Sequence, residues 1–85
     1  MTKGQAKAAL GQCFQHVIQK HLFEQDTEEV RQLIVYEFID RCAEFGHGVG
    51  AESIVEDGAL KGVEFFHESG LQGTLMIRVS VDYEE

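Results

Sequence analysis

Between Val30 and Phe45 apolar residues recur at helical spacing, over an arc too wide for an ordinary surface helix. At 100° per residue, Ile34, Phe45, Phe38, Cys42, Val35, Ile39, Ala43 and Tyr36 span roughly 200°, where a stripe a little over ~100° seats a helix on one core. Such an arc needs cover on two sides, from the chain's own sheet and from a second helix or another subunit. The rest of this helix is a polar seam of Glu37, Asp40, Arg41 and Glu44. Glu37 and Arg41 are spaced as an i, i+4 ion pair, and Asp40 and Glu44 as like-charge neighbours.

The same period predicts an earlier helix over about 5–23, after a frayed Thr2 to Gly4. Ala6, Leu10, Cys13, Phe14, Val17, Ile18 and His21 share one face, and Gln5, Gln12, Gln15, His16 and Gln19 the other. Gly11 costs this helix roughly 1 kcal/mol against Ala unless a close contact uses the missing side chain. Asp26 or Thr27 is the expected N-cap of the second helix, with Glu29 placed to close a capping box on Asp26 and Glu28 and Glu29 suited to the positive end of the dipole. That helix covers about 27–45, and Gly46 offers a left-handed cap. Residues 46–50 read as a glycine-rich linker.

Beyond the linker the period shifts toward two. Strands are expected within 52–56, 60–67 and 73–83, with Asp57-Gly58 as a hairpin turn and a second turn at Glu68-Ser69-Gly70. The last strand alternates cleanly, Leu75, Ile77, Val79, Val81 and Tyr83 on one face, Met76, Arg78, Ser80 and Asp82 on the other. The fold class is therefore α+β: a two-layer domain with an N-terminal helical pair packed on a two- or three-stranded antiparallel sheet. At 85 residues it is a single domain, 1–85, whose core is small enough that self-association would add useful burial.

Seven Lys and Arg against fifteen Asp and Glu give a formal charge of −8. Residues 1–23 carry Lys3, Lys7 and Lys20 and no acid, a balance of +3, and residues 24–85 a balance of −11. Direct nucleic-acid binding, which shows as a basic patch, is not expected, and a basic protein surface is the expected external partner. No apolar stretch follows Met1-Thr2-Lys3-Gly4 and no run approaches a membrane span, so a cytoplasmic, soluble protein without a membrane partner is expected. Two cysteines, Cys13 and Cys42, both within apolar helical patterns, read as reduced core thiols.

No catalytic, cofactor-binding or metal-binding motif is legible. The glycines of 46–50 follow a helix and precede a strand, the reverse of a phosphate-binding loop. His16 and His21 lie about 140° apart on a helix and cannot share an ion as an i, i+4 pair would. His21, near the middle of the first helix's apolar face, is the histidine of interest. A carboxylate from the Glu37, Asp40, Arg41 seam beside it would raise its pKa. Phe65 and Phe66 are adjacent, so one of them leaves the core; Phe66 beside Met76 on the outer sheet face would make an apolar patch. The expected function is a small, acidic, non-catalytic protein-interaction module or regulator that self-associates as a dimer or higher oligomer. Phe38 and Ile39 on the second helix, or Phe66 and Met76 on the sheet, would form the interface. The alternative is a small-ligand-binding or enzymatic domain, with a pocket between helices and sheet or at a subunit boundary lined by His21, His47, His67 and the Glu37, Asp40, Arg41 seam.

Overall fold

A computed structural model describes residues 2–77. Two helices, α1 (Lys3–Lys20) and α2 (Glu28–Glu44), precede three strands, β1 (Val49–Glu56), β2 (Ala59–His67) and β3 (Gln72–Met76), paired antiparallel in the order β1-β2-β3. The arrangement is α+β, with a three-stranded sheet.

α1 begins two residues before its apolar period does, because Thr2 caps it. The Thr2 hydroxyl accepts the Gln5 amide at 3.1 Å, and the Gln5 carboxamide accepts the Thr2 amide at 2.9 Å, a reciprocal box that satisfies two otherwise orphan donors. The helix ends at Lys20 rather than near 23. His21 is its C-cap, the chain turns as Glu24 N–H donates to His21 C=O, and Leu22 and Phe23 are left exposed.

Thr27, not Asp26, caps α2 by accepting the Val30 amide at 3.2 Å. Asp26 has a tertiary role: its carboxylate takes Arg31 Nε at 2.6 Å and the Leu60 amide at 2.8 Å. Arg31 in turn donates to the Gly58 carbonyl at 2.7 Å, so the start of α2 is tied to the β1–β2 turn. Those contacts, the Leu60 amide foremost, hold the Asp26 carboxyl below its ordinary pKa. After α2 the chain leaves the helix through Gly46 at φ +87°, a left-handed value that glycine adopts without strain.

Asp57 and Gly58 both have positive φ, 54° and 75°, as a two-residue hairpin turn that matches strand twist requires. Pairing runs from Val49↔His67 to Ile54↔Gly62 and then shifts to Val55↔Leu60, leaving Lys61 as an extra residue on β2. Gly62, beside this bulge, admits no side chain, since a Cβ there would overlap the Leu75 carbonyl oxygen of β3. β1 starts at Val49, within the stretch read as linker. The alternation expected at 78–83 lies outside the described residues.

The inner sheet face carries Val63 and Phe65, both fully buried, against Leu10, Cys13, Phe14 and Val17 of α1 and Ile34, Phe38 and Cys42 of α2. Phe14 meets Phe38 edge-to-face, with ring centroids 5.6 Å apart. Both cysteines are free and buried; burial, with Cys13 alongside, pushes the Cys42 thiol up to about 12. α1 passes over β3, where Leu75 Cδ2 comes nearest to Gly11, and α2 flanks β1.

Candidate interaction surface and polar site

α2 carries two adjacent apolar stripes. Ile34, Phe38 and Cys42, at successive i+4 steps, face the core and are its only buried residues. Gln32, Val35, Tyr36 and Ile39 face sideways toward β1, where with Ala51, Glu52 and Ser53 they line an open groove of about 420 Å³. Val35 and Ile39 are half-buried there, and Tyr36 is 63% exposed. The helix-side positions of this groove carry no charge, although the helix as a whole holds Glu28, Glu29, Arg31, Glu37, Asp40, Arg41 and Glu44. β1 is an edge of the sheet among the described residues, so one side of its backbone has no strand partner.

The four expected interface residues therefore separate. Phe38 is sealed in the core and presents nothing to a partner, because the sheet takes the stripe it lies on. Ile39, one position on, lies on the sideways stripe. Phe66 and Met76 are 44% and 50% exposed, on the outer sheet face with Gly62 and Glu64. They are not neighbours. Register pairs Phe66 with Gln72 and Met76 with Gly62, which sets them roughly 13 Å apart along the strands. The outer-face patch expected from the sequence is thus two isolated side chains. Glu64 lies between their positions along β2 and faces Glu52 of β1, a like-charge cross-strand pair. Phe45, counted in the apolar arc, is also exposed, beneath the Arg41 guanidinium at 5.3 Å from its ring centroid.

His21 meets the seam as expected, and with a second carboxylate. Its Nε2 lies 2.9 Å from Glu37 Oε1 of α2, and its Nδ1 lies 2.8 Å from Glu24 Oε1 in the α1–α2 turn. Lys20 Nζ reaches the same Glu37 oxygen at 3.4 Å. A ring with an acceptor at each nitrogen donates from both, which is the imidazolium form. The Glu24 and Glu37 hydrogen bonds, in that order, raise the His21 pKa above 6.5 against the opposing effect of burial. His21, followed by Lys20, lowers that of Glu37 below 4.5. This commitment of Glu37 replaces the expected Glu37–Arg41 pair. Asp40 and Arg41 line a cleft with His16, Lys20, Glu44 and Glu37 itself.

His47 and His67, expected only as separate groups around a pocket with His21, meet each other. His47 Nδ1 lies 2.9 Å from His67 Nε2, and His67 Nδ1 accepts the Ser69 backbone amide at 3.1 Å with the Ser69 hydroxyl 2.7 Å away. The signal was the hairpin turn. Counting outward from Asp57-Gly58, with one extra residue at the bulge, brings His67 opposite Val49, two residues from His47. Among the described residues no group of three or more His, Cys, Asp or Glu is placed to hold a metal, and no helix is long and apolar enough to cross a membrane. No protein-family model matches the sequence, and neither a curated protein nor a solved structure shows significant similarity to it.

Proposed function

We propose that this chain is a non-catalytic protein-interaction module that self-associates through the sideways stripe of α2 and the edge of β1, with a second copy as the partner. The observation that carries this reading is the charge-free, Tyr-bearing stripe lying beside an unpaired strand edge. Interface centres are depleted in charge and enriched in aromatic residues, and the open edge carries no Lys or Pro, two of the residues that guard against pairing.

The β1 sequence is self-complementary in one register. With Ser53 on a two-fold axis, antiparallel pairing of β1 with its copy sets Glu52 opposite Ile54 and Ala51 opposite Val55, so no two carboxylates face each other. The same axis brings the two α2 stripes together above the joined sheet. Tyr36 and Ile39 would close on their counterparts, and the small core would gain the cover that the wide arc calls for.

Sedimentation of the wild-type chain at micromolar concentration should give a dimer. Tyr36→Glu, at an exposed position, should weaken association at least about tenfold and leave the circular dichroism unchanged. A wild-type monomer, or a Tyr36→Glu protein that dimerises as well as wild type, would refute this reading.

A further inference from the structure

A cavity of about 250 Å³ opens between α1 and the end of α2, lined by Ala9, Gln12, Cys13, Arg41, Phe45 and His47. Two features separate it from an incidental surface hollow. The first is Arg41. In a chain with twice as many acidic as basic residues, its guanidinium has no carboxylate within ion-pair distance among the described residues. It is held instead over the Phe45 ring at the cavity rim. The second is His47, 7% exposed, whose Nδ1 is committed to His67. Its Nε2 makes no hydrogen bond among the described residues, yet no buried side-chain polar atom there lacks a partner, so Nε2 is not sealed inside the core. Nε2 therefore meets solvent, and the His47 ring is part of the cavity wall.

Backbone geometry fixes which proton His47 shows. The Ser69 amide hydrogen points at His67 Nδ1, so that nitrogen holds a lone pair and the His67 proton sits on Nε2. From there it donates to His47 Nδ1, which leaves the His47 proton on Nε2, facing outward. Arg41, His47 and Gln12, each carrying an N–H donor, therefore line one small space. The carbonyls ending α2 do not oppose an anion here as bare acceptors would. Those of Arg41, Cys42 and Ala43 are taken by the amides of Phe45, Gly46 and His47. The rest of the wall is apolar: Ala9, Cys13 and the Phe45 ring.

We infer that this cavity is a binding site for a small organic carboxylate with a flat apolar body. Arg41 and His47 Nε2–H hold the carboxylate oxygens, and Phe45 with Ala9 covers the body. Arg41 offers the planar fork that fits a carboxylate, and His47 adds a neutral donor whose direction the Ser69–His67 chain sets. The site lies on the opposite flank of α2 from the proposed self-association surface, so the two readings stand or fall separately.

Benzoate is the probe, titrated into the full chain while the ¹⁵N signals of the His47 ring and of Arg41 Nε are followed by NMR. Saturable shifts at both, with a dissociation constant in the millimolar range expected of so small a ligand, would support the site. So would a His47 ring carrying its proton on Nε2 before benzoate is added. Arg41→Gln, on the surface of α2, should keep the fold and lose about tenfold or more in affinity. No saturable shift, equal affinity in Arg41→Gln, or a proton on His47 Nδ1 would overturn the inference. Acetate or inorganic phosphate binding as tightly as benzoate would overturn the apolar wall's part in it.

Discussion

The inward and sideways stripes of α2 are built from the same kinds of residue and end in different environments. Ile34, Phe38 and Cys42 are closed off by the chain's own strands and α1, whereas Val35 and Ile39 are half-covered and Tyr36 stands mostly in solvent. The stripes lie about 100° apart on one helix, so neither propensity nor hydrophobicity separates them. The sheet does. β2, with Val63 and Phe65, lies at the centre of the three strands and backs the inward stripe, while β1 ends the sheet alongside the sideways one. A wide apolar arc thus measures how much cover a helix asks for. It does not say which part its own chain supplies.

The sharpest way to break this comparison is to truncate one residue on each stripe. Phe38→Ala removes a fully buried ring that Phe14 packs against edge-to-face, and should cost about 3–5 kcal/mol in denaturant unfolding, enough to unfold a domain of this size. Tyr36→Ala should shift monomer stability by no more than about 0.5 kcal/mol, measured at a concentration below self-association. Equal losses at the two positions would mean that the sideways stripe is already closed within one chain.

A third side of α2 gives a smaller and pH-dependent effect. His21 bridges Glu24 and Glu37 and so fastens the α1–α2 turn to the helix. Because its folded pKa is raised, the stabilisation it gives is complete below the ordinary 6.5 and is lost as pH rises through the folded value. Glu37 works in the other direction. Its folded pKa is lowered, so its stabilisation is complete above the ordinary 4.5 and is lost as pH falls through the folded value. Both are in force between those ordinary values, in mildly acidic solution. His21→Gln should cost about 1–2 kcal/mol there. As pH rises through the folded His21 value the difference should shrink. Urea midpoints measured for both proteins from pH 4 to 9 would show this, and a gap constant across that range would deny the imidazolium its role.

How much of this was legible in the chain follows from how local each cause is. The helices, the Asp57-Gly58 turn and the alternation at 73–77 rest on spacing within one segment, and they were legible. So was the meeting of His21 with Glu37, since both lie on the faces their helices turn toward each other. The Glu24 partner was missed because it depends on where α1 stops, and α1 stops at a turn with no glycine to mark it. Asp26 and Thr27 were both legible as caps of α2, and the choice between them was not, because the partners that claim Asp26, the Leu60 amide and Arg31, come from a strand distant in sequence and from the next turn of α2. The Phe66–Met76 patch failed on register, which turn and bulge set jointly. The His47–His67 chain was hidden by the same bulge: one extra residue at Lys61 decides which residue faces His67.

The seam between α1 and β3 extends the comparison to a helix that is neither tightly closed nor open. Gly11 of α1 faces Leu75 there, and a Cβ built on it would sit 3.9 Å from Leu75 Cδ2, an ordinary contact with nothing nearer. Its neighbours Lys7, Ala8 and Gln15 line a shallow groove against Thr74 and Met76 rather than a packed joint. The glycine is therefore not demanded by close approach, unlike Gly62, whose Cβ would strike the β3 backbone. Gly11→Ala should gain about 0.5–1 kcal/mol, by removing the glycine penalty in a helix interior and adding a methyl contact to Leu75. Thermal unfolding would read this as a rise in Tm of several degrees for a chain of this length. A fall in Tm instead would mean that α1 lies closer to β3 than this, and that the seam belongs with the closed stripe of α2.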